Sequence, residues 1–314
     1  MEEGQALMEL TRETTMRTRS RRNYRWDRYK YYYLLLLPAM VYFLVFQYAP
    51  MFGIVIAFKE YRIVDGIFGS PWAGLKWFER LFSAQDFWIA LRNTLIISCY
   101  KLLFVFPVPI VLALFLNEIW NVRFKRWIQT IIYFPHFVSW VILAGILHAL
   151  FSSSTGILSA IGISVSPMMQ PEMFRGMLVA TEIWKEAGWG TVIYLAAIAG
   201  INPELYEAAK IDGASRWQEM FRITLPSIGG TILILLILKM GHILNAGFDQ
   251  IFVLYHALVY QVADILDTYV YRVGLSMGRF PLAAAAGLFK SAVSLVLILL
   301  TNTIVRRMGG SGLW

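Results

Sequence analysis

The sequence predicts an all-α, polytopic membrane protein with about six transmembrane helices. Three observations carry that expectation. Hydrophobic residues make up 58% of the 314 positions, and mean hydropathy is +0.58. Charged residues are 15%, against about 25% in soluble domains. The apolar residues also gather into six runs of roughly 20, the length a helix needs to cross the hydrocarbon core of a bilayer.

The first run, 34–58, follows "RYKYYY" at 28–33, a cluster of tyrosines of the kind that anchors a helix at the membrane interface. The 33 residues before it are polar and too long for the basic region of a signal peptide, the run itself is too long, and no small-residue cleavage site follows. It is therefore expected to stay in the mature protein. "RRNYR" at 21–25 resembles a twin-arginine signal only superficially. The second run, 94–116, contains the single cysteine, Cys99, which excludes an intrachain disulfide. Pro107 and Pro109 should kink this span, and neighbouring helices or water must then satisfy the freed carbonyls.

A third run covers 128–150 and a fourth 177–200. The fourth carries Glu182, Lys185 and Glu186 on one face with Trp189, and Gly188 and Gly190 should loosen the helix beside them. These charges can neutralise one another, which favours packing. The fifth run, 227–248, places Lys239, His242, Asn245 and Asp249 at three- and four-residue spacing, one polar stripe on a helix. Ionisable groups inside a span are costly and face a cavity or a partner. Two readings follow for Lys239 and His242: interhelical pairing that specifies packing, with Glu182 or Glu186 as partner of Lys239, or a place on a substrate pathway. The sixth run covers 283–304. Lys101 and Lys290 each lie about seven residues from the outer ends of their spans, close enough to snorkel. Trp184, Tyr269 and Tyr271 could present aromatic faces to a ligand, although packing accounts for most aromatics in such a chain. The segment 249–282 is too short to span twice and too apolar to be a free loop. It reads as a re-entrant or interfacial element buried in protein.

Lys and Arg fix the expected orientation. Sixteen lie in 1–33, 117–127, 201–226 and 305–314, and six in 59–91, 151–173 and 249–282. Positive residues stay inside, so both termini and the loop 201–226 should be cytoplasmic. The net charge of +8 is then membrane topology, and nucleic-acid binding is not expected. No phosphate loop is present: "GLFKS" at 287–291 lacks the required spacing. The four histidines and one cysteine form no cluster with metal-ligand spacing.

The polar stretch 202–226 is punctuated like two short helices. Asn202 can cap a first helix with Pro203 at its first position, and Glu204 and Glu207 suit its positive end. Asp212-Gly213 should stop it. Ser215 and Gln218 form a capping box for a second helix, which carries Trp217, Met220, Phe221 and Thr224 as a stripe and ends at Pro226. Such a knob needs something to pack against. Its even mix of charges is a poor match to anionic lipid.

At this point the residues carry a resemblance. Glu207-Ala208-Ala209, three residues including Asp212, Gly213, nine residues, then Ile223-x-Leu225-Pro226 resembles in full the EAA loop of binding-protein-dependent ABC importer permeases. "GSPWAGLKWFERLF", "IWKEAGWGTVIYLAAIAGINPELYEAAKIDGA", "ADILDTYVYRVGL" and the closing "GLW" look like the branch that serves polysaccharide fragments. The resemblance implies a type I ABC importer permease fold, with a cytoplasmic tail 1–33, a permease domain 34–305 and a tail 306–314. It implies an oligosaccharide substrate and a bacterial cell (inner) membrane location. The implied partners are a second permease subunit, two ATPase subunits and an extracytoplasmic solute-binding protein. ATP and Mg would be bound by the ATPases, and no cofactor by this chain. Residues 203–226 would be the coupling element that docks on an ATPase. The stripe Lys239, His242, Asn245, Asp249, with Trp184, is the candidate substrate pathway, and a uronate-containing oligosaccharide would supply a counter-charge to Lys239.

Two other classes of protein would carry different marks. A secondary transporter should show inverted halves with matching broken helices, and no such symmetry is visible. A membrane-embedded enzyme needs a nucleophile or metal beside Glu182 and Glu186, and none is supplied.

Overall fold

The computed structural model describes residues 29–152, 156–160 and 166–307. The twin-arginine-like stretch, most of both predicted tails and the closing "GLW" lie outside these residues. The chain divides into two compact units, Met1–Val55 and Ile56–Trp314.

The first unit holds most of helix α1, Tyr29–Phe58, in which a π-turn at Leu44–Tyr48 precedes Pro50. Its most apolar window is only 6% buried within the structure. The apolar surface therefore faces outward all along the helix, as a membrane helix requires.

In the second unit, α2 is Lys76–Ser83 and α3 is a long helix, Gln85–Asn117. A π-turn at Lys101–Val105 absorbs the disturbance of Pro107 and Pro109, and the helix carries through both. The predicted third span is not straight. α4, Val122–Phe137, and α5, Trp140–Phe151, meet at 97°. Pro135 tightens the end of α4 into a 3₁₀ turn, and Ser139 caps α5 by accepting the Ile142 N–H. The fourth span is one unbroken helix, α6, Pro171–Ala199. Gly188 and Gly190 do not loosen it. A Cβ at Gly188 would sit 1.9 Å from the Ile132 carbonyl oxygen, and one at Gly190 3.0 Å from Pro109. The two glycines let α4 and α3 approach the backbone of α6.

Residues 204–227 form two short helices, α7, Glu204–Ile211, and α8, Arg216–Ser227. α8 bends by 55° into α9, Gly229–Gly241. The predicted fifth span thus ends seven residues early. Residues 242–247 leave the helix, Gly247 takes φ +96°, and the chain restarts as α10, Phe248–Leu254. α11, Leu266–Tyr271, and α12, Phe280–Arg307, complete the order. Among the described residues, α1, α3 and α12 have the length and composition to cross a membrane, and the pairs α4–α5 and α8–α9 do so if each bent pair counts as one span. Of the six expected spans, α6 does not pass on composition, because it carries Glu182, Lys185 and Glu186.

After α10, residues 263–269 are held largely inside the protein, as expected for part of 249–282, while 257–258, 260–261 and 275–279 are exposed. Asn93 of α3 donates to the carbonyls of Gln261 and Asp264 at 3.0 and 3.1 Å. Thr94 accepts the Leu266 N–H at 2.8 Å. Asp264 takes Arg272 in a bidentate pair at 2.9 and 2.7 Å. Such charge-assisted forks fix irregular backbone where helical bonds are missing.

Candidate functional site: a polar cavity and a folded knob

The knob is built largely as its punctuation indicates, except that Pro203 stands at the N-cap and α7 begins one residue later, at Glu204. Asn202 Oδ1 accepts the Glu204 N–H at 3.1 Å. Gly213 turns the corner at φ +75°, a left-handed conformation that favours glycine. The capping box forms in both directions: Gln218 N–H donates to Ser215 Oγ at 3.4 Å, and Ser215 N–H to Gln218 Oε1 at 2.7 Å. Tyr206 and Thr224 share a hydroxyl hydrogen bond of 2.9 Å, which closes α7 onto α8.

The stripe on the second helix divides. A π-turn at Met220–Thr224 adds a residue to the helical repeat. Met220 and Thr224 turn inward, and Met220 joins a cluster with Ala113, Leu114, Tyr194 and Ile228. Trp217 and Phe221 stack on each other at 6.0 Å and stay exposed. Glu207, Ala208, Asp212, Gly213 and Pro226 are exposed, while Ala209, Ile223 and Leu225 are half-buried. Ile211 at the tip is 87% exposed. The knob therefore presents apolar and acidic groups together, a surface with the mixed character of a protein contact.

Above it, α3, α6 and α9 enclose a cavity of about 620 Å³. Lys239, His242 and Asp249 line it, joined by Glu182, Glu186 and Trp189. The four residues read as one helical stripe do not share a helix, because α9 ends at Gly241. Three of them still face the same space. Asn245 lines an adjoining depression of about 840 Å³ with Asp267, Tyr271 and Lys290. Trp184 stands apart, in an apolar groove of about 580 Å³ with Leu143, Leu147 and Met177. Tyr269 is buried in the core and offers no face.

The charges of α6 are partnered as expected in one pair, Lys185 with Glu186, and differently in the other. Glu182 pairs with Lys101, not Lys239. Lys101 is 3% exposed and does not snorkel. Its Nζ also donates to the Ala246 carbonyl and to Gln250 Oε1, both at 2.7 Å. The amine therefore fills the space beside Gly247, where a Cβ would lie 2.5 Å from it. Lys290 likewise pairs with Asp267. Glu186 takes His136 Nδ1 at 2.8 Å and Lys185 at 2.8 Å, and the His136 ring stacks on Trp189 at 4.8 Å. Lys185 also donates to the His136 carbonyl, which ties the bend between α4 and α5 to α6. Gln250 and His136 are the residues that sequence reasoning missed, and Lys101 is the one it misread as an interfacial lysine. Periodicity along single helices does not reveal a network assembled from three.

Among the described residues, no carboxylate oxygen lies within 4.0 Å of Lys239 Nζ. Lys239 is exposed to the cavity. It is a cation facing open space.

A bundle of apolar helices around a largely apolar cavity that carries charged side chains, with a protein-like contact surface outside the bundle, fits a membrane transport component. The chain belongs to the family of binding-protein-dependent transport system inner membrane components, which matches residues 105–310. It is 46% identical over 290 residues to the polygalacturonan/rhamnogalacturonan transport system permease protein YteP of Bacillus subtilis (strain 168), covering 91% of this chain and 90% of that one. It is 31% identical over 290 residues to the arabinooligosaccharides transport system permease protein AraP of the same organism, covering 89% and 88%. The crystal structure of a bacterial alginate ABC transporter in complex with an alginate pentasaccharide-bound periplasmic protein superposes with TM-score 0.84 at 44% identity, covering 92% of this chain and 98% of that one.

Proposed function

We propose that this chain is one permease subunit of an ATP-driven importer of acidic oligosaccharides and forms half of a translocation pore with a second permease subunit. Residues 203–226 carry the coupling to two ATPase subunits, which bind ATP and Mg. A solute-binding protein delivers the sugar at the opposite face. The exposed apolar groups Val64, Phe68 and Trp72 support a docking surface there. Both termini lie in the cytoplasm of a bacterial cell, a reading that the distribution of Lys and Arg supports.

The observation that carries the acidic substrate is Lys239. Lys239 stands in the last turn of α9, beside the break, and lines the cavity. An ionisable group within a membrane protein faces a cavity, a partner or a task. Glu182 and Glu186 are committed to Lys101, Lys185 and His136. A uronate carboxylate moving through the cavity would find Lys239 and His242 on one wall, while Asp249 would accept hydroxyl donors. YteP and the alginate importer bear the names of polyuronate systems, which supports the same class.

The test is uptake of an acidic oligosaccharide and of its carboxyl-reduced, neutral analogue by the reconstituted importer, with wild type and Lys239→Met. The acidic sugar should lose most of its uptake in the variant and the neutral one little. Equal loss for both, or none for either, would refute the charge assignment.

A further inference from the structure

One polar clamp ties the knob to the end of α3. Arg216, the first residue of α8, places its guanidinium carbon 4.3 Å from the centre of the Trp120 ring and Nη1 3.3 Å from Glu118 Oε2. Beside it, Trp217 meets Phe115 edge-on at 6.2 Å. Glu118 and Trp120 follow α3 directly. An exposed ion pair alone contributes little. A guanidinium that is stacked and paired at once is fixed in plane and direction, which a lysine could not reproduce. The capping box at Ser215 fixes the preceding backbone, so Arg216 is oriented from both sides.

The apolar contact of Met220 with Ala113 and Leu114 also joins the knob to α3. Apolar packing is non-directional and sets distance rather than rotation. From the clamp, α3 runs without interruption to the cavity. Pro109 packs on Gly190, Val105 and Phe106 line the wall, and Lys101 holds the broken end of the fifth span through Ala246 and Gln250. A single helix therefore touches the knob at one end and the cavity in its middle.

We propose that Arg216 is a positioning residue for transport: it clamps the knob to Glu118 and Trp120, so that displacement of the knob turns α3 and the cavity wall with it. This rests on the reading that the knob receives an ATPase.

The experiment uses the complete importer in proteoliposomes, with wild type, Arg216→Ala, Arg216→Lys, Glu118→Arg and the double reversal Glu118→Arg/Arg216→Glu. ATPase retained in the complex, ATP hydrolysis and sugar uptake are measured together. Arg216→Ala should retain ATPase and hydrolyse ATP, with uptake per ATP falling about tenfold, inside the ordinary range of coupling between sites. Arg216→Lys should lose less, and the double reversal should recover part of what Glu118→Arg loses. Wild-type uptake per ATP in Arg216→Ala would overturn the proposal. So would loss of the ATPase from that variant, which would make Arg216 a docking contact instead. The docking reading fails separately, if Glu207→Lys keeps both ATPase and uptake.

Discussion

A lysine amine enclosed by three helices shows at the residue scale how this fold uses charge. Lys101 supplies one ammonium to a carboxylate, an amide oxygen and a backbone carbonyl left open where α9 has stopped. It replaces the missing helical donors at the break. Removing one partner of a buried pair leaves the other charged and unpaired, at about 3–5 kcal/mol. Lys101→Met should therefore lower the melting temperature of the solubilised chain, and Lys101→Met/Glu182→Gln should recover most of the loss. An unchanged melting temperature in the single variant would show that the amine contributes nothing to the break. Gly188 makes a second point. The atom in the way of a side chain there is the Ile132 backbone oxygen, which cannot rotate aside. Gly188→Val should abolish accumulation of folded chain in membranes, and Gly176→Val, where nothing lies within 4 Å of an added Cβ, should not. Equal accumulation of both would contradict the close approach of α4 and α6.

Among the elements, the knob is the most legible from sequence, because every one of its signals is local. Asn202, Gly213, and Ser215 with Gln218 each act within four residues, and each does so in the structure. Val at 213 would have to adopt φ near +75°, a strain of roughly 1–2 kcal/mol in a left-handed corner. Gly213→Val should leave the protein in the membrane but lower uptake per ATP, a loss that uptake assays at matched expression will detect. Normal uptake would show that the corner need not be rigid. The spans were legible as apolar runs but not as shapes. The 97° bend between α4 and α5 had local signals in Pro135 and the Ser139 cap that hydropathy does not read, and it is tied to α6 by Lys185. The break after Gly241 is held by Lys101 from α3, far away in sequence. Gly241 and Gly247 around "HILNA" were the available signal for the break, and hydropathy alone averaged over them. The snorkelling expected of Lys101 and Lys290 failed for the same reason: carboxylates on other elements were close enough to hold them.

For the whole molecule, the fold separates two tasks. The cavity between α3, α6 and α9 holds charges open to a ligand, and the knob holds exposed apolar and acidic groups open to a partner protein. The family assignment places the source of energy in other chains, so this one should work only in company. The most direct test is to compare the purified chain with the same chain reconstituted in proteoliposomes with its sister permease, two ATPases and loaded binding protein. Expected is no ATP hydrolysis by the chain alone, and in the complete assembly hydrolysis stimulated by loaded binding protein together with ATP-dependent sugar uptake. Hydrolysis by the isolated chain, or sugar uptake by an assembly that lacks the ATPases, would contradict the account.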